Sequence, residues 1–296
     1  MAVVDVVVVC WNNADRIGAA LDSVFALSEV RDDPQYVNVV VSDNGSTDGS
    51  RELIRARYGE RVTIIENRAN LGFGAACNRA IERTSAPYVF FLNSDAELKD
   101  RALVEIVRFM EMHPRCGIAG PRIYDHAGNV AESCGEFDTW IGAFLRSSAW
   151  GEWPVLRRYA NGAALRAWDY RSARRVDLVI GAAMAVRREV FRTIGLFDER
   201  FFLYHEEVDL AHRARDAGYE TWFVPESEAI HEGGGSSGGR GALVERRKRC
   251  SRRRYWIKHH GRLWYASLAA AVAGRYLVYA GLAASLVAAG RRLLGR

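Results

Sequence analysis

The sequence predicts an α/β fold, a doubly wound and mostly parallel sheet flanked by helices. Two observations lead to this prediction. Short apolar stretches rich in β-branched and aromatic residues alternate along the chain with stretches of helical periodicity. The apolar stretches end in polar loops, and right-handed crossovers collect such loops at one edge of a sheet. We therefore expect a layered α/β domain whose ligand crevice lies at that edge.

The predicted elements follow one another in a regular order. The first strand is almost entirely valine, and the helix after it has Ile17, Leu21 and Val24 on its buried face. Asn13 or Asp15 is expected to cap that helix, and Pro225 to end the last strand. Strands are predicted over residues 3–10, 37–41, 62–66, 88–92, 118–120, 176–186 and 220–224, and helices over 17–25, 50–58, 75–83, 100–112 and 206–217.

The strand that begins at Tyr88 leads directly into a polar sequence. Residues 88–92 are apolar, as in a strand buried on both faces, and Asn93, Ser94 and Asp95 follow. In an open α/β sheet, ligands bind beyond the carboxyl ends of the strands. Asp95 is therefore expected to hold a divalent cation shared with substrate phosphates. The alternative is an aspartate that only caps the following helix.

A second acidic cluster opens the helix predicted over residues 206–217. Glu206, Glu207 and Asp209 lie in its first turn, directly after four bulky residues. Acids in a first turn complement the helix dipole, and Asp209 is one turn from Arg213, which is a structural explanation. The bulky residues also favour carboxylates at the rim of an apolar wall, where a carboxylate acts as a base.

Three further stretches point to ligand contacts. His231 precedes a glycine run at 233–239, which is either a linker or a mobile lid, and imidazole is a ligand for Mn²⁺-like ions. Gly181 belongs to a run of small residues that lets a ligand or another backbone approach closely. The irregular, aromatic-rich stretch 124–175 favours the wall of a substrate pocket over a plain loop.

Charge is unevenly distributed along the chain. The net charge of the 296 residues is +5, but residues 240–296 hold fourteen of the 41 basic residues and one of the 36 acidic ones. The tail therefore carries +13 and the remainder −8. Such a tail is typical of binding to an anionic surface. Because no recognised nucleic-acid-binding motif accompanies it, we expect an anionic membrane surface and no nucleic acid.

Composition divides the chain into an α/β domain over residues 1–239 and a basic, hydrophobic helical tail over residues 240–296. Residues 263–290 contain one charge, Arg275, and are long enough to span a bilayer. An interfacial pair of helices broken near Gly274 is the alternative. No signal peptide is expected. The five scattered cysteines fit a reducing compartment better than a disulfide framework or a zinc site.

Five motifs occur in an order that resembles a known family. They are VVCWNN at 8–13, VSDNGSTDGS at 41–50, NLGFGAACN at 70–78, NSD at 93–95 and EEVDL at 206–210. Over residues 3–260 the chain resembles family 2 glycosyltransferases of the GT-A fold, a Rossmann-like α/β fold. It is most similar to the bacterial rhamnosyltransferase branch, which builds cell-wall and surface polysaccharide.

The resemblance implies a role for each motif. Asp43 matches the aspartate that accepts from the pyrimidine N3–H, and Asp95 the metal-binding carboxylate of a D-x-D motif in which Asn93 replaces the first Asp. His231 matches the histidine that completes a Mg²⁺ or Mn²⁺ site. Glu207 stands in the place of the catalytic base, with Glu206 and Asp209 as alternatives, and Arg253 or Arg254 is expected near the diphosphate. Further nucleotide-sugar contacts are expected from Cys10, Trp11, Asn12, Asn70, Gly72, Asn78, Asn93, Ser94 and Gly181.

The expected activity is inverting, metal-dependent sugar transfer from a nucleotide diphosphate donor to a polysaccharide or lipid-linked glycan acceptor. The expected donor is dTDP-L-rhamnose, and the expected location is the cytoplasmic face of the cell membrane, with a peripheral or tail-anchored attachment. The replacements at Asn93 and Glu207 support an alternative, a non-catalytic membrane adaptor that binds nucleotide sugars or glycans. A hydrolase with paired carboxylates is a third reading, and it would not need Asp43.

Overall fold

The structure of the chain is a computed structural model, and it describes residues 2–146, 153, 156, 168–231 and 241–274. It consists of two compact units, one of residues 1–137 and 169–252 and the other of residues 138–168 and 253–296. The boundary expected after residue 239 stays a prediction. The glycine run at 233–239, most of the pocket-wall stretch after residue 146 and the tail beyond residue 274 lie outside the described residues.

Strands and helices alternate through the chain much as predicted. The strands are Val4–Cys10 (β1), Val37–Asp43 (β2), Val62–Glu66 (β3), Tyr88–Asn93 (β4), Ala96–Leu98 (β5), Cys116–Tyr124 (β6), Cys134–Gly135 (β7), Arg174–Val176 (β8), Leu178–Val179 (β9), Ala183–Arg187 (β10) and Glu220–His231 (β11). The helices are Ile17–Ala26 (α1), Ser28–Asp32 (α2), Ser50–Tyr58 (α3), Phe73–Ile81 (α4), Ala102–Met112 (α5), Trp140–Arg146 (α6), Arg188–Ile194 (α7), Glu206–Asp216 (α8) and Ala242–His260 (α9).

Nine of the described strands form one mixed sheet in the first unit. Its order is β3-β2-β1-β4-β10-β6-β11-β5, with β8 beside β11. The strands from β3 to β4 are parallel, and β6 is parallel to β11. β10 runs antiparallel between β4 and β6, and β5 is antiparallel to β11. β1, β2 and β4 therefore deliver their carboxyl ends to the same edge, as the doubly wound pattern predicts.

The centre of the sheet is buried on both faces. In β1 every residue except Val9 is buried, and residues 88–92 of β4 are buried as well. Phe91 packs edge-on against Phe191 and Phe197. Burial of both faces explains why these strands read as continuous apolar runs rather than as alternating patterns.

The single charge of β1 is neutralised at the edge of the sheet opposite the polar loops. Asp5 Oδ2 lies 2.6 Å from Arg188 Nη2 and accepts a hydrogen bond of 2.6 Å from Ala86 N. Its Oδ1 accepts from Asn38 Nδ2 at 2.8 Å. A buried carboxylate is tolerated there because its oxygens are paired and hydrogen-bonded.

Several local expectations were wrong. The single strand predicted over residues 176–186 is three short strands, because the chain bends at Asp177, whose Oδ2 accepts from Phe137 N at 2.8 Å, and turns again at residues 181–182. Strand β11 does not end at Pro225. Its pairing with β6 is interrupted between Val224 and Glu228 and then resumes, so the proline lies in a bulge where it needs no N–H. Helix α1 has no side-chain cap.

The second unit contains α6 and part of the C-terminal helical region. The indole of Trp140 stacks on Phe144, with ring centroids 5.5 Å apart, and its Nε1 donates to Ser267 Oγ at 3.1 Å. Residues 262–274 are helical. Within the part of the chain that the structure describes, no helix is both long and apolar enough to cross a membrane.

Candidate active site

The loops after β1, β2 and β4 are held together by side-chain hydrogen bonds. Asn12 Oδ1 accepts from Thr47 N at 2.8 Å, and Ser46 Oγ accepts from Asn12 N at 2.9 Å. Asn13 Nδ2 donates to Ser94 Oγ at 2.7 Å. The amides that follow β1 thus join the three loops into one polar edge, which explains why Asn13 does not cap α1.

Asp43 organises the loop that follows β2. Its side chain is buried, and its oxygens accept hydrogen bonds from Gly45 N and Ser46 N at 3.1 Å. The Nε of Arg51 lies 3.8 Å from Oδ2. These contacts give Asp43 a role in folding its own loop, and its expected role in base recognition stays a prediction.

A cavity opens at this edge of the sheet. Five of the ten predicted nucleotide-sugar residues line it: Trp11, Asn70, Gly72, Asn93 and Ser94. Seven further residues line it that the motif analysis did not assign: Val9, Asn44, Phe73, Phe202, Leu203, Val244 and Arg247.

The other five predicted residues do not line the cavity. Cys10 is buried beneath it, with Sγ 3.9 Å from Ser46 Oγ, and Asn12 and Asp43 hold the loops. Asn78 Nδ2 donates to the carbonyl of Phe197, and its Oδ1 accepts from Phe197 N, so this side chain fixes the segment before α8. Gly181 lies behind Phe73: a Cβ added there would be 3.6 Å from its ring.

Asn70 and Asn44 shape the glycine loop that forms one wall of the cavity. Asn70 Oδ1 accepts from Gly72 N at 3.0 Å, and Asn44 Nδ2 donates to Gly72 O at 3.1 Å. Gly72 has φ +90°, and a Cβ there would lie 2.2 Å from the carbonyl oxygen of Phe202. This close approach requires glycine at this position.

The structure brings together the two predicted metal ligands. Asp95 Oδ1 and His231 Nε2 are 3.4 Å apart, and both side chains are largely buried. His231 reaches this position because the end of β11 pairs with β5, where it is opposite Ala96. Asn93 Nδ2 lies 3.5 Å from the same imidazole nitrogen. A carboxylate oxygen and an imidazole nitrogen at this separation can both contact one divalent ion at about 2.1 Å.

Glu206 and Glu207 are buried carboxyls at the start of α8. Within the described residues, Oε2 of each has no hydrogen-bond partner. Burial raises the pKa of Glu207. Burial, and then the charge of Glu207, raises the pKa of Glu206 well above its ordinary value. Two adjacent carboxyls with raised pKa values are typical of a site that moves protons.

The two glutamates face different neighbours. A Cβ added at Gly74 of α4 would lie 3.5 Å from the Cβ of Glu206. A Cβ added at Gly181 would lie 3.9 Å from the Cβ of Glu207 and 3.6 Å from the ring of Phe73. Glu206 therefore lies beside Gly74 of α4 and Glu207 beside Gly181, and neither is among the described residues that line the cavity.

The surroundings of Asp209 indicate a structural role. It is completely buried, and Arg213 Nε donates to its Oδ2 at 2.8 Å. The same guanidinium donates to the carbonyls of Ile194 and Leu196 at 2.8 and 2.9 Å. The pair thus ties α8 to the chain after α7, and Asp209 is a poor candidate for a base.

The segment between α7 and α8 adopts a conformation that costs energy. Tyr204 and His205 have φ values of +67° and +70°, a region that non-glycine residues rarely occupy. Helix α9 holds this segment: Ser251 Oγ donates to Leu203 O at 2.9 Å, and the ammonium of Lys248 lies 4.7 Å from the ring centroid of Tyr204.

Only weak signals in the sequence pointed to the cavity residues that were not predicted as ligand contacts. Phe202 and Leu203 belong to the bulky run that predicted an apolar wall. Arg247 belongs to the polybasic stretch, which was interpreted as a membrane-binding feature. The expectation that Arg253 or Arg254 contacts the diphosphate stays a prediction, and the structure instead lines the cavity with Arg247.

The fold and this edge cavity define a glycosyltransferase of the GT-A class. The fold is similar to that of the mannosyltransferase PcManGT from Pyrobaculum calidifontis, solved with GDP-Man and Mn²⁺, at a TM-score of 0.55 and 20% identity over 98% of this chain and 80% of that one. It is also similar to GalNAc-T7 solved with UDP, GalNAc and Mn²⁺, at a TM-score of 0.57 and 17% identity. That match covers 78% of this chain and 44% of GalNAc-T7.

The chain belongs to glycosyltransferase family 2. The profile of glycosyl transferase family 2 matches residues 5–166, and that of glycosyl transferase family group 2 matches residues 88–289. A protein of Mycobacterium tuberculosis strain H37Rv, N-acetylglucosaminyl-diphospho-decaprenol L-rhamnosyltransferase, is 32% identical over 68% of this chain and 68% of its own length. A putative teichuronic acid biosynthesis glycosyltransferase of Bacillus subtilis, TuaG, is 32% identical over 36% of this chain and 41% of its length.

Proposed function

We propose that this glycosyltransferase moves L-rhamnose from dTDP-L-rhamnose to a lipid-linked N-acetylglucosaminyl diphosphate, with inversion at the anomeric carbon. The mycobacterial rhamnosyltransferase supports this choice of sugar and acceptor, since it is 32% identical over two thirds of both chains. One structural observation carries the mechanism. The paired side chains of Asp95 and His231 adjoin a cavity lined by Asn93 and Ser94, at the carboxyl end of β4.

Asp95 and His231 would hold Mg²⁺ or Mn²⁺. Their donor atoms, a carboxylate oxygen and an imidazole nitrogen, are 3.4 Å apart and largely buried, which fits one divalent ion. When bound, the ion supplies positive charge that stabilises the diphosphate leaving group. Asn93 contributes an amide instead of a second carboxylate.

Glu207 is the proposed catalytic base. Its carboxylate removes the proton of the acceptor hydroxyl while that oxygen bonds to the anomeric carbon from the face opposite the diphosphate. The bond from the anomeric carbon to the diphosphate oxygen breaks, and its electron pair leaves with the diphosphate. Because burial raises the pKa of Glu207, the ionised form is a stronger base than an exposed glutamate. We expect the transfer rate to increase with pH through that raised pKa.

The tail is proposed to hold the enzyme on the anionic, cytoplasmic face of the cell membrane, where a lipid-linked acceptor is available. The ten basic residues between 240 and 262 support this, since each basic side chain near an anionic surface contributes about 1 kcal/mol.

Transfer assays with purified protein test the proposal. The protein is incubated with Mn²⁺, a lipid-linked N-acetylglucosaminyl diphosphate and, in turn, dTDP-L-rhamnose, UDP-glucose, UDP-N-acetylglucosamine and GDP-mannose. We expect transfer from dTDP-L-rhamnose, its loss with EDTA and an inverted linkage by NMR. Transfer from another donor would overturn the rhamnosyl assignment, and nucleotide binding without any transfer would overturn the proposed reaction.

Two isosteric variants test the base. Glu207→Gln is expected to reduce the transfer rate by about 10²–10⁴-fold without weakening dTDP binding, because it removes proton transfer and keeps the shape of the site. Glu206→Gln is the matched control, one residue away and also buried. A larger loss in Glu206→Gln would assign the base to Glu206.

A further inference from the structure

Arg247 gives the cavity its charge. Of the described residues that line the cavity, it is the one with a formal charge, and the others are apolar, amide, hydroxyl or glycine residues. In a partly enclosed space of low dielectric, a single guanidinium produces a strongly positive potential. The ligand that this lining fits is therefore an anion that also has apolar or hydrogen-bonding parts.

None of the described residues neutralises the charge of Arg247. Among the described residues it forms no ion pair, whereas the buried guanidiniums of Arg188 and Arg213 are paired with Asp5 and Asp209. The guanidinium carbon of Arg247 lies 4.0 Å from the ring centroid of Phe202. Stacking on an aromatic ring orients a guanidinium and leaves its N–H groups, at the ring's edge, available to a ligand.

The position of Arg247 is fixed by the segment that it stacks on. Phe202 accepts a backbone hydrogen bond of 3.0 Å from Phe73, and the next residue, Leu203, accepts one from Ser251 of α9. Arg247 and Ser251 are one turn apart on α9. Two anchors, one from the glycine loop and one from its own helix, therefore hold the aromatic ring and the guanidinium against the cavity.

We propose that Arg247 binds the diphosphate of the donor, so that the start of the basic helix is a wall of the donor site as well as part of a membrane-binding tail. This inference rests on the proposed function. Asn93 and Ser94, which directly precede Asp95 in the chain, line the same cavity as Arg247. An arginine fork matches phosphate oxygens in a bidentate manner, and its charge does not depend on pH.

Binding experiments in solution, without lipid, test this role. Dissociation constants of dTDP, UDP and thymidine are measured by NMR titration in EDTA and again with Mn²⁺, for wild type and three variants. We expect Arg247→Gln to weaken dTDP binding by about tenfold to a hundredfold, the value of one charged hydrogen-bonding partner, with thymidine binding unchanged. Arg247→Lys should be intermediate, because it keeps the charge and loses the fork.

Arg249→Gln is the matched control, because Arg249 is on the same helix and exposed. It should bind dTDP as the wild type does. Equal losses in Arg249→Gln and Arg247→Gln, or an equal loss of thymidine and dTDP binding in Arg247→Gln, would overturn the inference.

The outcomes also separate this inference from the proposed function. If Arg247→Gln binds dTDP as tightly as wild type while the wild type transfers rhamnose, the inference alone fails. If the wild type binds neither dTDP nor UDP, both fail together.

Discussion

The backbone N–H of Phe73 donates a hydrogen bond of 3.0 Å to the carbonyl oxygen of Phe202. The bond joins the glycine loop before α4 to the segment before α8, two parts of the chain that are far apart in sequence. Gly72 lies against the same carbonyl. The shape of the cavity thus depends on a backbone contact that no side chain can replace.

Alanine at Gly72 is expected to destabilise the protein and to reduce nucleotide binding. The backbone there has φ +90°, and a Cβ would lie 2.2 Å from Phe202 O. Gly49→Ala is the matched control, since Gly49 has φ +87° and nothing within 4 Å of an added Cβ. Gly49 has ψ 5°, the left-handed helical region, where alanine costs about 1–2 kcal/mol. Gly72 has ψ 173°, a region confined to glycine, so its backbone strain adds to a collision cost of about 1–3 kcal/mol. Equal free energies of unfolding in urea would contradict this reading of the contact.

Glu206→Gln is expected to stabilise the protein at neutral pH. The pKa of Glu206 is raised by burial, so the folded state holds its proton more tightly than the unfolded state. Stability from such a group is complete below the unfolded pKa and is lost as pH rises through the folded pKa. Removing the titration should flatten that decline. Urea unfolding from pH 4 to pH 8 measures the decline, and a decline as steep in the variant as in the wild type would refute the buried-acid assignment.

Arg213→Ala is expected to cost about 3–5 kcal/mol of stability, because it leaves the buried carboxylate of Asp209 without its ionic partner. It also removes the donors to the carbonyls of Ile194 and Leu196. Arg200→Ala is the control, since its pair with Asp198 is exposed on the arginine side and should contribute less than about 1 kcal/mol. Chemical denaturation of both variants provides the comparison, and similar losses would remove Arg213 from its structural role.

Manganese is expected to raise the melting temperature through Asp95 and His231. At a concentration of 100 times its dissociation constant, a ligand stabilises the folded state by about 2.7 kcal/mol, or several degrees for a protein of this size. Asp95→Asn and His231→Gln should each reduce the shift in the presence of dTDP. Asp15→Asn, at a side chain that is 76% exposed, should keep it. An unchanged shift in both site variants would locate the ion elsewhere.

The parallel half of the sheet and its polar edge were predictable from the sequence. Each of β1, β2 and β4 is a short run buried on both faces and followed by turn residues, so local pattern and tertiary structure agree. Asp95 could be located for the same reason, because it directly follows a strand.

The other features of the fold and site depended on contacts between distant parts of the chain, which no local sequence pattern contains. Pro225 was wrongly expected to end the strand, because the sheet continues after the bulge and carries His231 to a position opposite Ala96. The spacing of Asp209 and Arg213 did indicate an ion pair, and the structure confirms this pair. The sequence does not distinguish Arg247 from the basic residues beside it. Its stacking on Phe202 could not be predicted, because it depends on how two distant segments of the chain are placed.

The antiparallel direction of β10 has a consequence for where insertions and deletions can be accommodated in the chain. Because β10 runs against β4, its first residues arrive at the catalytic edge, and Ala182 O accepts from Asn93 N at 2.8 Å. The pairing register of β10 with β4 fixes the position of Ala182 beside Asn93, whatever the length of the chain between β6 and β8. Insertions and deletions in that interval, during evolution or engineering, are therefore expected to leave the alignment of β4 and β10 unchanged.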